Sequence, residues 1–274
     1  MEVYKHICSL VANFNYLFGV ISYKYPNSNS VEFNKFNSFS ESFNKSQVNL
    51  RCGLINEEIK ELEQAIKDKN PIEIVDALCD ILYVVAGAKV YFNLPIDNKI
   101  TTDTDNMQNI TNTLDLLLKK SDITFIESVV SMEDEIVNKI LNEILDYNNV
   151  LGNLTELFVN ERKKEYHKLF VEHFIKFYDE TLDKIVVNVF SMSKLFNLNI
   201  VHLFEIVHNS NMTKICENEE NANETVEWYK INESRYKEPS YRKIHFNDKD
   251  YFVIYDIETK KILKSIKYIP AKFT

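Results

Sequence analysis

Apolar residues recur every three or four positions through most of the chain, the spacing that lines one face of a helix. Residues 2–21 (EVYKHICSLVANFNYLFGVI) show it first. Residues 22–47, rich in Ser, Asn and Phe and containing Pro26, lose it and predict an ordered loop with room for a short helix. Residues 48–69 predict an acidic helix that stops at Asn70-Pro71, because the residue before a proline is pushed out of the helical region. Pro71 suits the first turn of the next helix, which is expected to run to about Tyr91 and to end at Asn93-Leu94-Pro95. Residues 97–109 (DNKITTDTDNMQN) are polar and loop-like. The helical spacing returns over 110–148 and 154–208 and predicts three or four further helices, Leu198–His208 among the clearest. Near the C-terminus, Tyr251–Asp256 and Lys261–Ile266 flank IETK and predict a short β-hairpin. A lone hairpin is marginally stable, so it is expected to pack on helices.

The expected fold is therefore mainly α, an antiparallel helical bundle with a small C-terminal β-hairpin. Composition agrees. The 274 residues include only 4 Gly and 5 Pro, too few for a sandwich or barrel built on tight turns. The formal net charge of −9 leaves no basic face for a nucleic acid. It does not exclude a phosphorylated ligand, because a bound cation inverts the local field. Cys8, Cys52, Cys79 and Cys216 form no C-x-x-C pair, and reduced thiols in a cytoplasmic setting are the simpler expectation. No apolar run reaches the roughly 18 residues of a membrane span. The 31 asparagines are an excess that coding bias accounts for as readily as chemistry.

Charge placement sharpens the picture. Glu58 and Glu61 share a helix face, Glu57 stands four residues before Glu61, and Asp76 and Asp80 share a face on the next helix. A short connection makes these two helices antiparallel neighbours. Carboxylates gathered in apolar surroundings raise each other's pKa, and a hard divalent cation offsets that cost. Taken alone, E-E-x-x-E is usually a solvated face. Asp80 resists that reading, because it sits in ALCDILYVVAG, and aspartate is rarely buried unless paired or bound to metal.

At these residues the chain resembles the MazG-like, all-α nucleoside triphosphate pyrophosphohydrolases, whose signature is E-x-x-E, a spacer and E-x-x-D. Glu58 and Glu61 match the first half. In the second half Ala77 stands where the family has an acid three residues before the last Asp, and Asp76 lies one position earlier. The frame Glu73-x-x-Asp76 also fits the letters, whereas ILYVVAG aligns with Asp80. LFEIVHNSNMTKI (Leu203–Ile215) and TKKILKSIKYIPAKF resemble the end of a phosphoribosyl-ATP pyrophosphohydrolase-like branch, with Lys260 in place of the usual Gly. The resemblance implies a fold enlarged by an insertion: residues 1–97 with the acidic helices, 98–195 as a helical insertion, and 196–274 completing the first domain.

The resemblance also implies chemistry. Mg²⁺, or Mn²⁺ in its place, would be held by Glu58, Glu61, Asp76 and Asp80. Water would cleave a nucleoside triphosphate between its α- and β-phosphates, giving a monophosphate and pyrophosphate, with one of Glu57, Glu58 and Glu61 acting on the water. Asn211, Lys214 and Lys264 become substrate-binding candidates, although NMTK also looks like a helix end closing in polar residues. Arg51 and Asn56 follow behind them. His202, His208, Trp228 and the aromatic residues of 14–43 are expected to pack, the last group having a nucleobase wall as its alternative. Two other functions remain open at this stage: a catalytically silent helical protein that binds nucleotides or another subunit, and a phosphoribosyl-ATP pyrophosphohydrolase. Family members usually assemble as dimers or tetramers, so a homodimer is one expectation and helices supplied within one enlarged chain the other.

Overall fold

The computed structural model describes residues 2–21, 45–96, 135–160, 167–246 and 248–273. Seven helices and two strands lie among them. They are α1 (Glu2–Leu17), α2 (Lys45–Lys67), α3 (Pro71–Tyr91), α4 (Glu135–Asn160), α5 (His167–Leu195), α6 (Ile200–Met212), α7 (Glu219–Asn232), β1 (Pro239–Phe246) and β2 (Lys249–Asp256). Of the loop expected at 22–47, residues 22–44 lie outside the described residues and residues 45–47 open α2 instead; the loop expected at 97–109 and the helical spacing of 110–134 also lie outside them.

By internal contacts the chain divides into two units, the first holding residues 2–11 and the described residues to Phe204, the second residues 12–21 and Glu205 onward.

In the first unit the helices pack as a ring: α2 on α3, α3 on α5, α5 on α4, and α4 on α2. The turn between α2 and α3 is set by local chemistry. Lys69 takes a left-handed conformation (φ 52°). Asn70 then caps α3, its side-chain oxygen accepting from the amides of Ile72 (3.2 Å) and Glu73 (3.3 Å). Pro71 occupies the first turn, where its missing N–H costs nothing. Ile55, Ile59 and Leu62 of α2 and Ile74, Leu78 and Leu82 of α3 are fully buried. On α4 and α5, Phe158 stacks on Phe174 with ring centres 4.3 Å apart. Lys45 donates to the Val159 carbonyl at 2.5 Å and Asn148 to Asn56 at 2.9 Å, contacts that run α4 antiparallel to α2.

Lys89, fully buried near the end of α3, crosses to α5. Its ammonium lies 2.9 Å from Asp179, pairs with Asp183 as well, and donates to the Pro95 carbonyl at 3.1 Å. Burial alone would lower its pKa; the two carboxylates outweigh burial and hold it raised. Tyr4 of α1 packs edge-on against Phe190 of α5, and burial pushes the nearby Cys8 thiol up to about 12.

In the second unit, α7 packs on a two-stranded antiparallel sheet. Its registers run from Pro239↔Asp256 to Phe246↔Lys249. Cys216, Ala222, Val226, Phe252, Ile254 and Leu263 form the core between them. Asp256 is fully buried, accepting from the Glu238 amide at 3.0 Å and the Thr259 amide at 2.8 Å. Burial alone would raise its pKa, and these amides hold it below the usual carboxylate range. The tail folds back on the end of α6: Ser210 donates to the Ile269 carbonyl at 2.7 Å, and the Ile269 amide to Thr213 at 2.9 Å. Arg242 reaches the Phe18 carbonyl and lies over the Tyr255 ring.

Three expectations are corrected. The hairpin pairs Lys249–Asp256 with the preceding strand Pro239–Phe246; residues 261–266 contribute a single bridge, Tyr255↔Ile262. α4 does not break at residues 149–153: it runs through Gly152, with Asn148, Leu151 and Thr155 buried along one side. Residues 219–232, given no helix from sequence, form α7 behind an Asn218 cap.

Two outcomes follow from this packing. Lys89→Met strands two carboxylates against an apolar helix and is expected to cost about 3 kcal/mol in denaturant unfolding. The raised pKa means that the Lys89 contribution is present below its ordinary value near 10.5 and is lost as pH rises through the folded value. Lys260 stands in the left-handed region at φ 61°, which glycine adopts freely. Lys260→Gly is therefore expected to raise stability by about 0.5–1 kcal/mol, read as a higher melting temperature.

Candidate functional site

The acidic residues stand on α2 and α3, the helical hairpin turned at Lys69. Glu58 and Asp80 are equidistant from Lys69 in sequence, and Glu61 and Asp76 nearly so, which brings each pair level along an antiparallel hairpin. Glu57 and Glu58 are half-buried and Glu61 is exposed. Asp76 and Asp80 are half-buried although α3 is otherwise deeply packed. Ala77, the residue at the departure from the family pattern, is 4% exposed. An acid there would enter the core, whereas Asp76 keeps to the accessible side with Asp80. Burial, and then the charges of Asp80 and Asp76, push the Cys79 thiol well above its ordinary value. Glu73 is exposed in the first turn of α3. Among the described residues, no three His, Cys, Asp or Glu side chains stand together as a preformed metal cage.

Arg51 and Asn56 have structural partners. The Arg51 guanidinium is buried over the Tyr91 ring at 4.6 Å, its pKa lowered by burial. Asn56 accepts from Asn148. In the second unit Asn211 is buried, Lys214 half-buried and Lys264 exposed, its ammonium 4.6 Å from the Tyr268 ring centre. Lys264 lies in the tail after the hairpin, not in a strand.

Of the residues expected to pack, His208 is buried, and Phe14 and Phe18 are buried and stacked at 4.0 Å. His202 and Trp228 are corrected: both are exposed, Trp228 meeting Tyr229 edge-on.

Sequence reasoning passed over a second polar feature of the first unit. A cavity of about 540 Å³ opens between α2 and α4, lined mainly by asparagine. The signal was present as Asn49 and Asn56 on one face of α2 and Asn149 and Asn153 on one face of α4, but nothing in the sequence joins the two helices.

Residues 34–102 match the phosphoribosyl-ATP pyrophosphohydrolase family, a span containing the whole of α2 and α3. A protein of Acanthamoeba polyphaga mimivirus, Uncharacterized protein L479, is 31% identical over 227 residues, covering 81% of this chain and 80% of its own length. The chain belongs to the MazG-like pyrophosphohydrolase superfamily. No solved structure matches it. In this MazG-like chain both acidic helices lie inside the family match, while α4 and α5, which close the ring around them, lie outside it. No single helix among the described residues is long and apolar enough to cross a membrane.

Proposed function

We propose that the chain hydrolyses a nucleoside triphosphate between the α- and β-phosphates, releasing a nucleoside monophosphate and pyrophosphate. One observation carries the reading: the family match contains both acidic helices, and Asp76 and Asp80 are accessible in the middle of a helix whose other side is buried. The donors are all carboxylate oxygens, which suit Mg²⁺ or Mn²⁺. Mg²⁺ is usually held by one or two carboxylates, with water and substrate phosphates filling the remaining positions. Hard donors without a closed cage therefore fit an ion that arrives with a phosphorylated substrate.

Glu58, Glu61, Asp76 and Asp80 would hold that ion. Bound there, it would supply positive charge against the phosphoryl oxygens. One of Glu57, Glu58 and Glu61 orients the attacking water and takes its proton, a task that needs a carboxylate within hydrogen-bond reach. The apolar side of α3 fixes the backbone beneath Asp76 and Asp80, so these oxygens need little rearrangement on binding. Asn211, Lys214 and Lys264, outside the matched residues, stay candidates for substrate contact on the resemblance of NMTK and the tail alone.

Pyrophosphate release on a panel of canonical and modified NTPs and dNTPs, with phosphoribosyl-ATP included, tests this reading. The expected result is monophosphate plus pyrophosphate, lost with EDTA. Asp80→Asn is expected to lower kcat/KM at least about a hundredfold with an unchanged melting temperature. Absence of turnover across the panel, or full activity in Asp80→Asn, would overturn it.

A further inference from the structure

The cavity between α2 and α4 has a chemistry unlike that of the acidic helices. Its polar lining is amide: Asn49, Asn56, Asn148, Asn149 and Asn153. Among the described residues no charged side chain lines it, so it lacks the cation that holds a phosphate most strongly. Asn148 is 8% exposed; its amide nitrogen donates to Asn56, and its side-chain carbonyl oxygen accepts no hydrogen bond from any described residue. A buried acceptor left in that state is costly unless a ligand or solvent supplies a donor.

The glycines point the same way. The chain has four, and two of them, Gly53 and Gly152, stand mid-helix on opposite walls of this cavity. Glycine destabilises a helix interior relative to alanine. A Cβ added at either position meets no atom within 4 Å, so packing does not require glycine there. What the two glycines keep is open width between the helices. A cavity of about 540 Å³ is within the range of small-molecule sites.

We infer that this cavity receives the uncharged ring of a nucleobase, with the amides of Asn56, Asn148 and Asn149 reading its hydrogen-bonding edge. An amide presents a donor and an acceptor side by side, the pattern that complements a base edge, and excludes neither purines nor pyrimidines by charge. The inference deepens the proposed hydrolysis and rests on it for the rest of the ligand. Gly53 and Glu57 share a face of α2 at four-residue spacing, so the cavity wall continues along the helix into the acidic stretch. The two amide-bearing walls have different origins. α2 belongs to the family match and α4 does not, so α4 supplies base selection to a phosphate site that it does not build.

Cys52 lines the cavity and is half-buried, whereas Cys8, Cys79 and Cys216 are buried. Its alkylation by N-ethylmaleimide, followed by peptide mass spectrometry on the full chain, reports occupancy without relying on turnover. Burial raises the Cys52 pKa, so labelling is run at mildly alkaline pH. Adenosine, guanosine, cytidine, uridine and thymidine are the probes, each compared with its triphosphate. At least one nucleoside is expected to slow Cys52 labelling saturably, by about fivefold or more. Gly152→Leu is expected to abolish that protection and to raise KM for the preferred nucleotide about tenfold with little change in kcat. Gly152→Ala, which leaves the cavity open, is expected to keep both.

Lack of protection by every nucleoside and triphosphate would overturn the inference. So would a folded Gly152→Leu that hydrolyses each nucleotide with wild-type kcat/KM, a result that leaves the proposed hydrolysis standing. Protection by a nucleoside in a chain that hydrolyses no nucleotide supports the cavity assignment and removes the hydrolysis.

Discussion

The first unit is organised by one buried cation. Lys89 lies at 0% exposure in a helix that is otherwise apolar toward the core, and its ammonium is met by Asp179 and Asp183 one turn apart on α5. A buried charge is tolerated only when paired and hydrogen-bonded, so this contact fixes which stretch of α5 lies against the end of α3. The rest of the ring inherits that register. α5 carries Phe174 and Tyr178 to Phe158 and Phe92, and α4 carries Asn148 to Asn56. The helices that the family match omits are thus tied to the helices it contains by a specific charge contact and not by apolar packing alone. Greasy surfaces tolerate sliding; a buried ammonium between two carboxylates does not.

This arrangement separates two chemistries along α2. Its acids at Glu57, Glu58 and Glu61 follow a stretch whose Asn49, Gly53 and Asn56 line a neutral cavity. Phosphate handling needs charge and hard oxygen donors, and discrimination among bases needs neutral donors and acceptors in a fixed frame. In the proposed reading, a helix beside the acidic hairpin would supply the second without disturbing the first.

Much of the fold was legible because its signals are local. Asn70-Pro71 marked the turn between α2 and α3, since a cap and a first-turn proline act within four residues. α6 was legible from the apolar spacing of LNIVHLFEIVH. The errors arose where tertiary contacts decide. Ile262, Leu263 and Ile266 look like a strand, yet β2 already pairs with residues 239–246, whose half-buried, mixed composition hid them. The helical spacing lapsed between 148 and 154, yet α4 runs on, because Asn148, Leu151 and Thr155 are buried along one side of it. α7 was missed because its buried face, Asn221, Ala222, Thr225, Val226 and Tyr229, holds few strongly apolar residues in a polar segment. The acids announced themselves through Asp80, a charge in an apolar helix. The asparagine cavity could not, because Asn56 and Asn148 are 92 residues apart and asparagine is common throughout the chain. Lys89 and its partners Asp179 and Asp183 drew no reading from the sequence, because the contact joins helices far apart in the chain.

The account depends on the α2–α3 acids holding a divalent ion together with a nucleotide, and binding measures that directly. Mn²⁺ bound to the full chain would be followed by electron paramagnetic resonance, alone and with non-hydrolysable α,β-methylene nucleoside triphosphates, for the wild type and for Asp80→Asn. The account predicts that nucleotide tightens Mn²⁺ binding in the wild type and that Asp80→Asn loses this coupling while retaining its fold. Equal Mn²⁺ binding by the two proteins, with or without nucleotide, would contradict it.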